Sequence, residues 1–201
     1  MSVQYRKSVT LIELLIAMSL LAVMVLGINS IDVFSHFHLF STERRARLQN
    51  DVSLCLAHMT KYLSSAIGNE LINGNNTAVF ISPNSTNTSI LSGFVDTNAN
   101  GVRDIGSDSW SGYIFDSNAH TLTYYSRCAN ASCSISAGTT EVLSNKITAF
   151  SAAKDFSKGP YIDVSLTACW NPNSTTAACG SSDNPSFTMA TTLALPSVAS
   201  H

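Results

Sequence analysis

Charge is scarce in this chain: 12% of its 201 residues are Asp, Glu, Lys or Arg, and the formal net charge is −2. A general nucleic-acid binder needs a basic patch that releases counterions, so no nucleic-acid partner is expected. Proline is absent before Pro83, which leaves nothing to break a helix in the first 82 positions. The Gly-x-Ser-x-Gly elbow, the P-loop and His-Glu-x-x-His are all missing, and with them the commonest serine-hydrolase, phosphate and zinc-protease chemistries. No Cys-x-x-Cys pair exists, so a cysteine metal site is not indicated. Histidine adds no site. His36 and His38 stand two apart on different faces of a helix, His58 reads as a helix-surface residue, His120 as a turn residue, and His201 is the last residue. No enzyme is indicated.

What is present starts at the N-terminus. A short basic leader ending in Arg6-Lys7-Ser8 precedes the apolar run Leu11 to Ile28, and inside that run stands one carboxylate, Glu13. A charge at membrane depth costs about 2.5 kcal/mol or more, so such a residue implies a task and a partner. The run is longer than the ~7–15 apolar residues of a secretory signal and lacks an Ala-x-Ala site behind it. A plain anchor fits the length, since about 20 residues span a bilayer, but it does not account for Glu13. Arg6 and Lys7 hold the N-terminus in the cytoplasm and send the rest outside. Lipid is therefore a direct partner. The outer compartment is oxidising, which makes disulfides the first reading of the cysteines.

The string Lys7-Ser8-Val9-Thr10-Leu11-Ile12-Glu13-Leu14-Leu15 resembles the class III signal of type IV prepilins: a basic leader, a Gly cleavage site, then Phe-Thr-Leu-Ile-Glu-Leu. Ser8 replaces the usual Gly and Val9 the usual Phe. The resemblance implies cleavage between Ser8 and Val9 by prepilin peptidase and N-methylation of Val9. It also implies that Glu13 neutralises a terminal amine, in filaments that of a neighbouring subunit. One ion pair would then replace two isolated charges. Removing the two cations Arg6 and Lys7 would take the formal charge from −2 to about −4.

The helical pattern runs from Val9 to about Ile67, apolar on all sides at first and amphipathic beyond Asp32. Leu48, Val52, Cys55, Met59, Tyr62 and Ala66 recur at steps of four and three, flanked by Leu56, Leu63 and Ile67, a stripe suited to covering a sheet. Gly68-Asn69 and then Asn73-Gly74-Asn75-Asn76 should end it. Strands are expected at Thr77–Ile81, Ile90–Val95, Glu141–Phe150, Tyr161–Thr167 and Phe187–Leu195. A hairpin is expected from Gly112–Phe115 and Thr121–Tyr125, and a loop at 83–89. The fold class is α+β: a pilin-like long N-terminal helix, half membrane-spanning and half amphipathic, packed on an antiparallel sheet. The division is leader 1–8, membrane or filament-core helix 9–34, amphipathic helix 35–70 and β-rich extracytoplasmic head 71–201. The helix from Arg47-Leu48-Gln49-Asn50 to Leu63-Ser-Ser-Ala-Ile67, the hairpins, the strand Ile162–Leu166 and the closing strand into Leu195-Pro196 resemble PilW-type minor pilins and pseudopilin J of type II secretion.

Three groups in the head are candidate sites. Cys128 and Cys133 bracket one short loop, Cys169 and Cys179 another; local pairing is natural, although four cysteines allow three connectivities. Cys55 is left over on the apolar stripe as a buried thiol. Asp96-Thr-Asn98-Ala-Asn100-Gly101-Val102-Arg-Asp104, followed by Asp108, has the opening of an EF-hand-type calcium loop. Calcium is the one candidate ion, through Asp96, Asn98, Asn100, the Val102 carbonyl, Asp104 and Asp108; a polar Asn-Gly turn is the alternative. Position twelve of that loop is Ser107 rather than Glu. Ser151-Ala-Ala-Lys154 and Ser182-Asp183-Asn184 match two elements of penicillin-recognising serine enzymes, but Lys-Thr-Gly is absent and about 130 head residues cannot house that fold. Trp110 and Trp170 fit either the core or a partner surface. The resemblance implies a minor pilin of a type IV pilus, with other pilin or pseudopilin subunits, prepilin peptidase and an inner-membrane assembly platform as partners. It would sit in the inner membrane with a periplasmic head, then in a pilus or pseudopilus. A type II secretion pseudopilin, a competence pilin and a membrane-anchored binding protein or enzyme are the alternatives.

Overall fold

The computed structural model describes residues 10–69, 77–82, 87–133, 138–154, 159–195 and 198–199. The leader with Ser8 and Val9, the 73–76 turn, positions 83–86 of the expected loop and Pro196 lie outside the described residues. The chain divides into two compact units, Met1–Glu43 and Arg44–His201.

Residues 11–43 of the first unit belong to α1 (Leu11–Leu63), and from 11 to 40 every side chain is exposed, Leu11 at 78% and Met24 at 71% among them. In lipid each polar group must be satisfied from within. The hydroxyls here comply: Ser19 donates to the Ile16 carbonyl at 2.9 Å, Ser30 to Leu26 at 2.9 Å and Thr42 to His38 at 2.8 Å. Among the described residues α1 is the one helix long and apolar enough to cross a membrane.

The second unit is an α+β body. Leu48, Val52, Cys55, Leu56, Met59 and Leu63 of α1 are buried, the stripe expected from their spacing. They lie against antiparallel sheets. Strands β2 (Val79–Ser82), β3 (Thr88–Val95), β4 (Ser109–Asp116), β5 (Thr121–Cys128) and β6 (Thr140–Ser144) form one sheet in chain order. Strands β7 (Ile147–Lys154), β8 (Tyr161–Cys169) and β9 (Ser186–Ala194) form a second, in which Ile162, Val164, Leu166 and Ala168 alternate into the core. The β4–β5 hairpin forms as expected, longer at both ends. A two-residue parallel pair joins β1 (Gly68–Asn69) to β10 (Val198–Ala199).

Three expectations need correction. The helix stops at Leu63, four residues short of Ile67. There Ser64 and Ser65 turn their hydroxyls onto the carbonyls of Lys61 (3.0 Å) and Tyr62 (2.7 Å), and the Ile67 N–H donates instead to Phe94 at 2.7 Å. Gly68 and Asn69 are thus not the helix end but a strand, and a Cβ at Gly68 would meet the Ala78 backbone at 2.8 Å. Residues 141–150 are two strands in different sheets, because Asn145-Lys146 forms a corner. The Lys146 N–H donates to Ser144 Oγ at 3.2 Å, and its ammonium reaches Asp51 at 3.4 Å. Thr88 and Ser89 belong to β3 rather than to a loop.

Candidate functional site

Thr10 and Glu13 make the first site. Glu13 Oε2 accepts from the Thr10 N–H and hydroxyl, both at 3.1 Å, while the Glu13 N–H donates to Thr10 Oγ1 at 3.4 Å. This is a reciprocal capping box, which satisfies donors that a helix start leaves open. The pattern Thr-x-x-Glu is legible in the sequence. The carboxylate therefore has a local partner as well as its place in an apolar run.

In the head, the structure joins Cys128 to Cys133 and Cys169 to Cys179, the local connectivity, and leaves Cys55 as a buried thiol. Burial, with Asp51 nearby, pushes the Cys55 thiol up to about 11. The first disulfide loop lies over the sheet at Gly112, where a Cβ would meet Cys133 Sγ at 2.8 Å and Ser92 Cβ at 2.6 Å. Only glycine fits that approach. Ser92, fully buried, donates its hydroxyl to the Ala131 carbonyl of the same loop. The second loop is organised by Asn184, a residue sequence reasoning placed in a different motif. Its amide nitrogen donates to Asn171 O (2.9 Å) and Ala177 O (2.8 Å), and its oxygen accepts from the Asn171 N–H (2.8 Å). Ser151 meanwhile is exposed on β7 and Lys154 is three positions on, across the pleat, so the Ser-x-x-Lys and Ser-Asp-Asn elements serve separate structures.

The acidic loop 96–108 closes on itself. Asp96 accepts from the N–H groups of Asn100 (3.3 Å) and Gly101 (2.7 Å). The side-chain amides of Asn98 and Asn100 both donate to Asp104 Oδ2, at 3.3 and 2.7 Å. The Val102 N–H donates to Asn100 Oδ1 at 2.8 Å, and buried Asp108 accepts from the N–H groups of Thr97 (3.0 Å) and Asp104 (2.8 Å). Asn98, Asn100 and Asp104 are thus brought together, whereas Asp108 faces the backbone. Among the described residues no three His, Cys, Asp or Glu side chains are grouped to hold a metal ion.

His58 is not a plain surface residue. It is half-buried in an aromatic cluster, its Nδ1 3.0 Å from the Tyr113 hydroxyl, which donates to the His58 carbonyl at 3.1 Å. The ring lies 4.7 Å from Tyr124 and 4.5 Å from Tyr62. Burial lowers the His58 pKa below 6.5; Glu141 opposes that shift and Lys61 adds to it. Periodicity alone could not reveal the cluster, because Tyr113 and Tyr124 arrive from other strands.

Residues 4–29 match the prokaryotic N-terminal methylation motif. The match covers the leader, the Thr10–Glu13 cap and the apolar start of α1. No curated protein and no solved structure matches the chain. The motif indicates a type IV pilin-like or pseudopilin protein and suggests a structural, non-enzymatic one. With the exposed apolar helix it also suggests membrane anchoring and contact with other pilin subunits.

Proposed function

We propose that the chain is a minor pilin of a type IV pilus that primes or supports filament assembly. In this reading prepilin peptidase cuts between Ser8 and Val9, Val9 is N-methylated, and the subunit waits in the inner membrane with its head in the periplasm. The assembly platform then draws it into the filament. Glu13 exchanges Thr10 for the Val9 amine of a neighbouring subunit, an ion pair that a dry helical bundle favours over either charge alone. The observation that carries the reading is Glu13 in the exposed apolar stretch of α1, inside the methylation motif. Low charge and two short disulfide loops in the head support it.

Mass spectrometry of the native polypeptide tests it: the expected species begins at N-methylated Val9, and an unmodified chain retaining Met1 would refute it. A deletion distinguishes the machines. Loss of piliation supports the minor pilin; loss of exoprotein secretion with intact pili assigns the chain to a pseudopilus.

A further inference from the structure

On the face of the five-stranded sheet opposite α1, the loop 96–108 and the first disulfide loop stand apart and leave a cleft of about 570 Å³. Its floor comes from β3, β4 and β5, all interior strands paired on both sides. Their backbone groups are spoken for, so a bound molecule must be recognised by side chains rather than added as a strand. Those side chains are of three kinds. Phe94 and Trp110 stand opposite each other in register with ring centroids 5.5 Å apart, edge to face. Trp110 is half-buried and also lines a second cleft of about 450 Å³ on its other side.

Two guanidinium groups line the same space. Arg103 is fixed by stacking 4.0 Å over Phe94 and by donating to the Thr77 carbonyl at 3.0 Å. Arg127 is exposed on β5. Among the described lining residues the one carboxylate is Asp108, which accepts from two backbone N–H groups and whose charge also acts on Arg103. Ser107 and Ser109 complete the polar wall. The volume lies in the range of small-ligand sites, in which an apolar body is held by rings and oriented by a few polar groups.

From this arrangement we infer that the cleft between the two loops binds a carboxylated sugar, its carboxylate on Arg103 and Arg127 and its ring on Trp110. Planar guanidinium groups match a carboxylate in two-point geometry, and seryl hydroxyls suit sugar hydroxyls. A peptide strand is the poorer fit because, among the described residues, the floor strands β3, β4 and β5 are interior to the sheet. The inference stands whether or not the chain is a minor pilin.

The test uses the full chain in detergent micelles with Trp170→Phe, so that Trp110 is the single tryptophan reporter. The probe is trigalacturonate; the controls are its fully methyl-esterified form and triglutamate. Trigalacturonate should change the fluorescence saturably with a Kd below about 10 mM. Arg127→Leu and Arg127→Gln should each weaken binding about tenfold, the loss of one charged hydrogen bond, and Arg127→Lys should recover part of it. Near-UV circular dichroism establishes that each variant is folded, and the glutamine variant serves if the leucine variant is not. Equal binding of the ester, equal binding of triglutamate, no saturable change, or indifference to Arg127 in a folded variant would each overturn the assignment.

Discussion

The two stretches of α1 solve opposite problems with the same secondary structure. From 11 to 40 no side chain is buried, and the hydroxyls of Ser19 and Ser30 fold back onto the helix itself. From Leu48 to Leu63 six side chains on one face are buried, with His58 half-buried beside them. The first stretch is complete only in a non-aqueous surrounding; the second carries its own covering in the sheets. On the proposed function, the same backbone thus separates assembly from folding. A substitution in one stretch should leave the other's property alone.

Glu13→Gln is the sharpest way to break that separation. Glutamine can keep the capping box with Thr10, so the helix start should survive, yet the charge is gone. Incorporation into filaments should fall to background while the thermal unfolding of the head is unchanged; a normal filament content would remove Glu13 from assembly. The converse change is Leu63→Ala. It deletes a side chain only 1% exposed and should cost about 2–5 kcal/mol of head stability in denaturant titration, with membrane insertion intact. Asn184→Ala should cost about 1–3 kcal/mol by leaving the Asn171 and Ala177 carbonyls without their donor, and should speed reduction of Cys169–Cys179.

A smaller effect belongs to His58. Its folded pKa is depressed, so the unfolded chain binds the proton first. Stability is then full above about pH 6.5 and declines as pH falls through the folded pKa. His58→Gln should flatten that decline in melts taken between pH 7 and 5, and an unaltered profile would exclude His58 as its source. The smallest effect concerns loop 96–108. Its carboxylates already accept from the loop's own backbone and side-chain amides, so adding calcium should move the melting temperature by less than about 2 °C. A larger rise abolished by Asp104→Ala would show an ion bound there.

Much of this was legible in the chain. The apolar run, the stripe from Leu48 to Leu63 and the β4–β5 hairpin are set by periodicity, a local property. What escaped was decided by contacts distant in sequence. The helix yields at Ser64 because Phe94 offers its carbonyl to Ile67, and the strand breaks at Asn145 because Lys146 is drawn to Asp51. The parallel β1–β10 pair joins segments 130 residues apart. For the candidate sites, Glu13 is visible as an anomaly of charge, and Thr10-x-x-Glu13 spells its cap. The cleft around Trp110 could not be read at all, since its walls come from three strands and two loops.

The two disulfides also have a mechanical meaning for a chain that is pulled. They span five and ten residues, which withholds roughly 50 Å of extensible contour from any unravelling that starts at either end. A head under load should therefore lengthen less and stop sooner than its reduced form. Single-molecule stretching with and without reductant would record that difference as two missing steps.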